Sequence, residues 1–203
     1  KMRNSANDGW IDLRTLTGGI TSTADATINS ITVGKGANSV SGNTVLGESA
    51  LDASVTGANN TAIGKSTLTT NTSGHSNVAV GNAALSANTT AANSVAVGNQ
   101  ALESNTTGNN NTAIGSNALD ANTTGSSSVA VGRGALGGNT TGANNVAIGQ
   151  NALLNNTSAN NNTAVGLNAL TSNTTGTLGV AVGSNALDVN TTGNRNTAVG
   201  SDA

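Results

Sequence analysis

The chain has 203 residues, with seven Lys and Arg against nine Asp and Glu, one His, one Trp, and no Cys, Pro, Phe or Tyr. Without cysteine there are no disulfide staples and no thiolate metal site, and with Trp10 as the one aromatic side chain, a class that buries roughly 150–250 Å² each, any core must be narrow. The scattered charges give no basic stripe and base-stacking aromatics are missing, which argues against nucleic acid; no run approaches about 18 apolar residues, so no membrane insertion is expected.

Residues 1–28 carry no period. Trp10-Ile11-Asp12-Leu13 alternates apolar and polar and predicts one strand. Gly18-Gly19 and the Thr/Ser/Ala run to Thr27 predict a joint, so 1–28 read as a connector or neck with Trp10 as a packed anchor. Residues 29–203 read as a solenoid. Ile31-Thr32-Val33-Gly34 has the look of a repeat strand, but the next marker glycine, Gly47, follows too soon for a full period, which predicts a shortened first rung capping the column.

From Gly47 the spacing is strict. Gly64, Gly81, Gly98, Gly115, Gly132 and Gly149 and their successors to Gly200 follow at intervals of 17 with no insertion, the mark of stacked repeats. Each glycine closes an Asn-[Thr/Val]-Ala-[Ile/Val]-Gly segment, which two variable residues, Ala-Leu, two more variable residues and Asn-Thr-Thr-Gly follow, as from Asn111 to Gly125. Gly and β-branched residues every few positions disfavour helix. The Asn-[Thr/Val]-Ala-[Ile/Val] segment predicts a short strand and Ala-Leu a second, shorter extended piece. Asn-Thr-Thr-Gly is turn chemistry, with Asn bonding the local backbone. One coil is then two short strands and two turns, and the whole is an all-β solenoid.

Side chains alternate across a strand, so the larger residues are expected inside. Val80, Val97, Ile114, Val131, Ile148 and Val165 are assigned to an internal column, with Leu85, Leu102, Leu119, Leu136, Leu153 and Leu170 beside them. Ala79, Ala96, Ala113, Ala130 and Ala147 then face outward, and a small apolar residue repeated there suggests close packing against another chain. Burial of three aliphatic side chains does not offset the ordering of a whole coil. Neighbouring coils, and identical chains packed beside them, are expected to supply the rest.

The residues give little support to chemistry. His75 lies in a variable turn and reads as a solvated loop residue. Asp52, Asp120 and Asp188 share one repeat position but sit four coils apart, about 19 Å at the strand spacing of about 4.8 Å, and read as solvated surface. Gly34-Lys35-Gly36 lacks the third glycine of a dinucleotide loop and the Lys-Ser/Thr of a phosphate loop. No catalytic residue, metal site or cofactor is expected. Eight Asn-Thr-Thr/Ser triplets from Asn71 to Asn190 match the glycosylation acceptor pattern but read as turns first.

Asn111 to Gly125 resembles the repeat of bacteriophage tail-fibre proteins. Ser94-Val95-Ala96-Val97-Gly98 is similar, more distantly, to the Ser-Val-Ala-Ile-Gly signature in the heads of trimeric autotransporter adhesins. The resemblance spans about 31–203. It implies a left-handed parallel β-roll, a side-by-side homotrimer, and attachment to a host surface receptor. Residues 1–16 resemble a connector upstream of phage fibre repeats, which implies contact with other virion tail or capsid proteins. The expected function is a structural or adhesive segment of a virion fibre. A bacterial adhesin head is the alternative. Ice binding by stacked Thr columns (Thr72, Thr89, Thr106) is a remote one, disfavoured because those threonines lie in a turn. The chain begins at Lys1 and stops within a repeat, and so reads as a piece of a longer protein.

Overall fold

The computed structural model describes residues 2–3, 10–11, 26–28, 31–53 and 55–203. Among them, strands β1 (Met2–Arg3) and β2 (Trp10–Ile11) form a separate antiparallel pair. Asp12 and Leu13 of the expected first strand, the Gly18-Gly19 joint and the Trp10 side chain lie outside the described residues.

The remaining strands form one twelve-stranded sheet in sequence order. It opens with β3 (Ala26–Ile28) and β4 (Ile31–Gly34), which pair antiparallel. β4 in turn pairs antiparallel with β5 (Thr44–Gly47), placing Val33 opposite Leu46 and Gly34 opposite Val45. Ile31–Gly34 is therefore not a shortened parallel rung. The chain doubles back through a 3-10 turn at Ala37–Ser39, and the resulting hairpin covers the first edge of the stack. An edge strand presents unpaired backbone groups to any other chain, and here antiparallel pairing covers the first parallel strand and leaves the short β3 as the outermost strand.

From β5 onward every pairing is parallel, and each residue lies opposite its equivalent one period on. β6 (Thr61–Ile63), β7 (Val78–Val80), β8 (Val95–Val97), β9 (Thr112–Ile114), β10 (Val129–Val131), β11 (Val146–Ile148), β12 (Thr163–Val165), β13 (Val180–Val182) and β14 (Thr197–Val199) follow one another. Ala79 pairs with Ala96, Ala96 with Ala113, and so on. The chain is a parallel β-solenoid with one strand per coil.

The Ala-Leu segment is not a second strand. Leu51, Leu68, Leu85, Leu102, Leu119, Leu136, Leu153, Leu170 and Leu187 all sit at φ near +50°, in turns. A non-glycine residue in the left-handed region costs about 1–3 kcal/mol and persists only where its surroundings impose it. Two observations supply that imposition. The Leu119 N–H donates to the Ala135 carbonyl of the next coil at 3.0 Å, and its side chain is wholly buried, worth about 1.5–3 kcal/mol.

The interior reverses the expected strand orientation. Ala79, Ala96, Ala113, Ala130 and Ala147 are wholly buried in the same apolar cluster as the leucines Leu85, Leu102, Leu119, Leu136, Leu153 and Leu170. Val80, Val97, Val131 and Val165 are only half-buried, and Ile114 and Ile148 are exposed at 41 % each. The cause is cross-section. So short a coil leaves little room between opposite walls, and the leucine entering from the turn fills most of it. From β6 onward the inner face of the strand therefore carries a methyl group, and a larger side chain, Val45, is buried there only in the first coil, β5.

Asparagines complete the interior. Asn122 donates through Nδ2 to the Asn105 Oδ1 one coil earlier at 2.8 Å and to the Gly125 carbonyl of its own turn at 3.0 Å. The same arrangement recurs at Asn139 and Asn156. A second ladder stands at the strand entrance. There Asn145 Oδ1 accepts from the Asn162 N–H at 2.9 Å, while Asn145 Nδ2 donates to the Ala159 carbonyl at 2.8 Å. Buried polar groups cost little only when paired, and these are. Asn88 Oδ1 alone among the described buried side-chain atoms has no partner.

Candidate functional site

The feature that the coil architecture leaves outward is the strand face. At each coil the residue before the inner one, which is alanine except for Val45 in β5, is Thr or Val and the residue after it is Val, Ile or Leu, so the face is two columns of aliphatic and threonine side chains. One column runs Thr61, Val78, Val95, Thr112 and onward; the other runs Ile63, Val80, Val97, Ile114 and onward. Ten parallel strands at about 4.8 Å spacing and two columns about 7 Å apart give a flat patch on the order of 400 Å². That matches the largest apolar patches of ordinary monomers, about 300–600 Å², which are commonly interaction sites. No ionisable residue falls in either column.

The alanines assigned to inter-chain packing cannot serve it, because Ala79, Ala96, Ala113, Ala130 and Ala147 have no exposed surface. Their alternates in the strand, the valines and isoleucines assigned to the core, occupy the surface instead.

The marker glycines Gly64, Gly81, Gly98, Gly115, Gly132 and Gly149 stand directly after this face, at φ between 127° and 139°. At Gly115 a Cβ would lie 2.6 Å from the Gly132 carbonyl oxygen and 2.7 Å from its carbon. Real Cβ atoms do not approach backbone so closely. Glycine is therefore required both by the backbone angle and by the approach of the next coil.

Threonines in the turn are committed to the stack. Thr106 Oγ1 donates to the Thr123 carbonyl at 3.0 Å and Thr123 Oγ1 to Thr140 at 3.0 Å. The acceptor asparagines of the glycosylation triplets, Asn88 through Asn173, are wholly buried.

Titratable groups are dispersed. His75 is exposed, with Nδ1 3.4 Å from Ser76 Oγ. Asp120 Oδ2 accepts from Asn117 Nδ2 at 3.1 Å, while Asp52 is exposed. The Lys65 ammonium pairs with Glu48 at 3.2 Å on the surface. Among the described residues no three His, Cys, Asp or Glu side chains gather as a metal site, and no helix is long and apolar enough to cross a membrane.

The outward face was hidden in the sequence by its own alternation. Val-Ala-Val fits either orientation, and only the size of the coil decides between them. Compared with known proteins, the chain matches no family model, no curated protein and no solved structure.

Proposed function

We propose that the chain is a rigid structural segment of a virion fibre, assembled as a homotrimer through its outward strand faces and serving attachment to a host surface. The observation that carries the reading is the flat two-column face of aliphatic and threonine side chains, uncharged along all ten parallel strands. A second copy of the same face supplies a matching surface with the same coil spacing, so every coil adds equally to the contact. A stable interface needs about 800 Å² per partner, about twice the area of the two columns alone, so the residues flanking them are expected to add to the contact. The buried amide ladders support a stiff rod, since bending it would break bonds in successive coils. The resemblance of 31–203 to phage fibre repeats supports the setting.

Light scattering on the purified chain tests the assembly. Three times the 19.5 kDa chain mass is expected, falling to one chain in the double variant Val97→Glu with Val131→Glu, which places charge on the face while leaving the interior alone. A folded, monomeric parent chain would refute the assembly.

The adhesin-head reading rests on Ser94-Val95-Ala96-Val97-Gly98 and uses the same trimer. Immunogold labelling with antibody against residues 44–203 separates the two. Label on viral particles supports the fibre, and label on cell envelopes supports the adhesin. Ice binding has weaker support because the turn threonine hydroxyls donate to the next coil; thermal hysteresis in the parent chain would favour it.

A further inference from the structure

One coil departs from the others on its wall. Gly134, Gly137 and Gly138 stand where the preceding coil carries Asn117, Asp120 and Ala121 and the following coil carries Asn151, Leu154 and Asn155. The missing side chains leave a notch of about 400 Å³ lined by Asn117, Asp120, Arg133, Gly134, Gly137, Asn151 and Leu154, within the usual size of small-molecule sites, about 300–1,000 Å³. Gly134 and Gly137 form its buried floor. A Cβ built on Gly137 would lie 3.1 Å from Leu154 Cδ1 on one side and 3.3 Å from Asp120 Oδ1 on the other, and one on Gly134 would lie 3.0 Å from Asn151 Oδ1.

The groups around that floor have bonding capacity to spare. Asp120 uses Oδ2 to accept from Asn117, and Asn151 donates Nδ2 to Asn168 Oδ1 at 3.3 Å. Asp120 Oδ1 and Asn151 Oδ1 have no hydrogen-bond donor among the described residues. Arg133 is exposed and makes no ion pair there, although a carboxylate lines the same notch. Leu154, half-buried, provides an apolar shelf at a position that is polar or glycine in the other coils.

We propose that this notch binds an acidic saccharide unit. A hexuronate ring has an apolar C–H face for the Leu154 shelf, hydroxyls that donate to Asp120 Oδ1 and Asn151 Oδ1, and a carboxylate that the planar Arg133 guanidinium grips through two parallel hydrogen bonds. None of the outward strand residues lines the notch, so the site stands whether or not the chain assembles as a trimer or belongs to a fibre.

The test is amide-shift mapping on the ¹⁵N-labelled full chain with galacturonate, galactose and glutamate as probes. Galacturonate is expected to move the amides of 117–120, 133–138 and 151–154, and galactose, which lacks only the carboxylate, to bind about tenfold more weakly. Gly137→Thr refills the floor with the residue found at Thr69 and Thr171, at the cost of moving the Leu154 side chain that stands 3.1 Å from the added Cβ, and Arg133→Ser restores the residue found at Ser116 and Ser184, so both variants carry a side chain that other coils hold at the same position. Gly137→Thr is expected to abolish the shifts, and Arg133→Ser to erase the preference over galactose. Absence of shifts with galacturonate, equal binding of galactose, stronger binding of glutamate, or shifts that survive Gly137→Thr would each overturn the proposal.

Discussion

Asn139 donates Nδ2 to Asn122 Oδ1 at 2.8 Å, one coil away, while giving its other Nδ2 proton to the Gly142 carbonyl at 3.0 Å. A single amide thus closes its own turn and binds that turn to the preceding one. The interior ladder needs a group with donors and an acceptor on one planar head, which Asn has and Asp lacks.

Asn122→Asp isolates that requirement. The substitution removes the donors to Asn105 and Gly125 and sets a carboxylate among carbonyl oxygens, so at about pH 7 a loss on the order of 3–5 kcal/mol is expected. Burial raises the folded-state pKa of the new carboxyl above its unfolded value. The neutral acid, which can donate once, is then favoured in the fold. The penalty is therefore smallest below the unfolded carboxyl pKa and grows as pH rises through and beyond it. Urea melts at about pH 4 and about pH 7 measure this, and a deficit that shrinks toward neutral pH would count against the ladder.

Leu119 joins full burial to φ of +52°. Leu119→Ala should cost about 2–5 kcal/mol through the cavity left behind. Leu119→Gly loses the same side chain but relieves the backbone, so it should be milder than the alanine variant by about 1 kcal/mol. That order is opposite to the one expected in a strand or helix. Equal or reversed costs would show that the turn conformation is wrong.

Gly115→Ala forces a methyl group against the Gly132 carbonyl, 2.6 Å away, in a backbone conformation with φ of +135°. Neither atom can rotate aside. A loss of about 3 kcal/mol or more is expected, with faster amide exchange concentrated in the coils of β9 and β10. Parent-like exchange in those coils would contradict the close stacking.

Asp202 is fully exposed, and its carboxyl is held below the ordinary value of 3.8, first by the Asn185 amide and then by the Ser201 hydroxyl. Asn185 Nδ2 donates to Asp202 Oδ1 at 2.9 Å across one coil. A depressed folded pKa means that the small stabilisation is present above 3.8 and fades as pH falls through the folded value. A carbon-detected NMR titration should show the low midpoint, and Asn185→Ala should return it toward the ordinary value; an unchanged midpoint would remove the bond from the account.

The period and its consequences were plain in the sequence. Glycine at every seventeenth position from Gly47, with aliphatic residues before and leucine after, allowed little but stacked coils. Three things were not plain. The orientation of Val78-Ala79-Val80 depends on the coil's width, which no local pattern encodes. Leu85 in a left-handed turn is a tertiary demand overriding the extended preference of its neighbours. Ile31–Gly34 has repeat-like residues, yet its antiparallel pairing with β5 follows from the short link between them, which turns the chain back instead of around. The notch at Gly137 could have been noticed as the one coil with three glycines in place of side chains, but much of its lining comes from the coils before and after it.

Thiol reactivity at neighbouring positions of β9 tests the inside-out assignment most directly, since the chain has no cysteine of its own. The Ala113→Cys thiol should stay unreactive toward a polar maleimide at every protein concentration. The Ile114→Cys thiol should react readily in dilute solution and slow as copies associate over the strand face. Rapid labelling at 113 with protection at 114 in the lone chain would contradict the account.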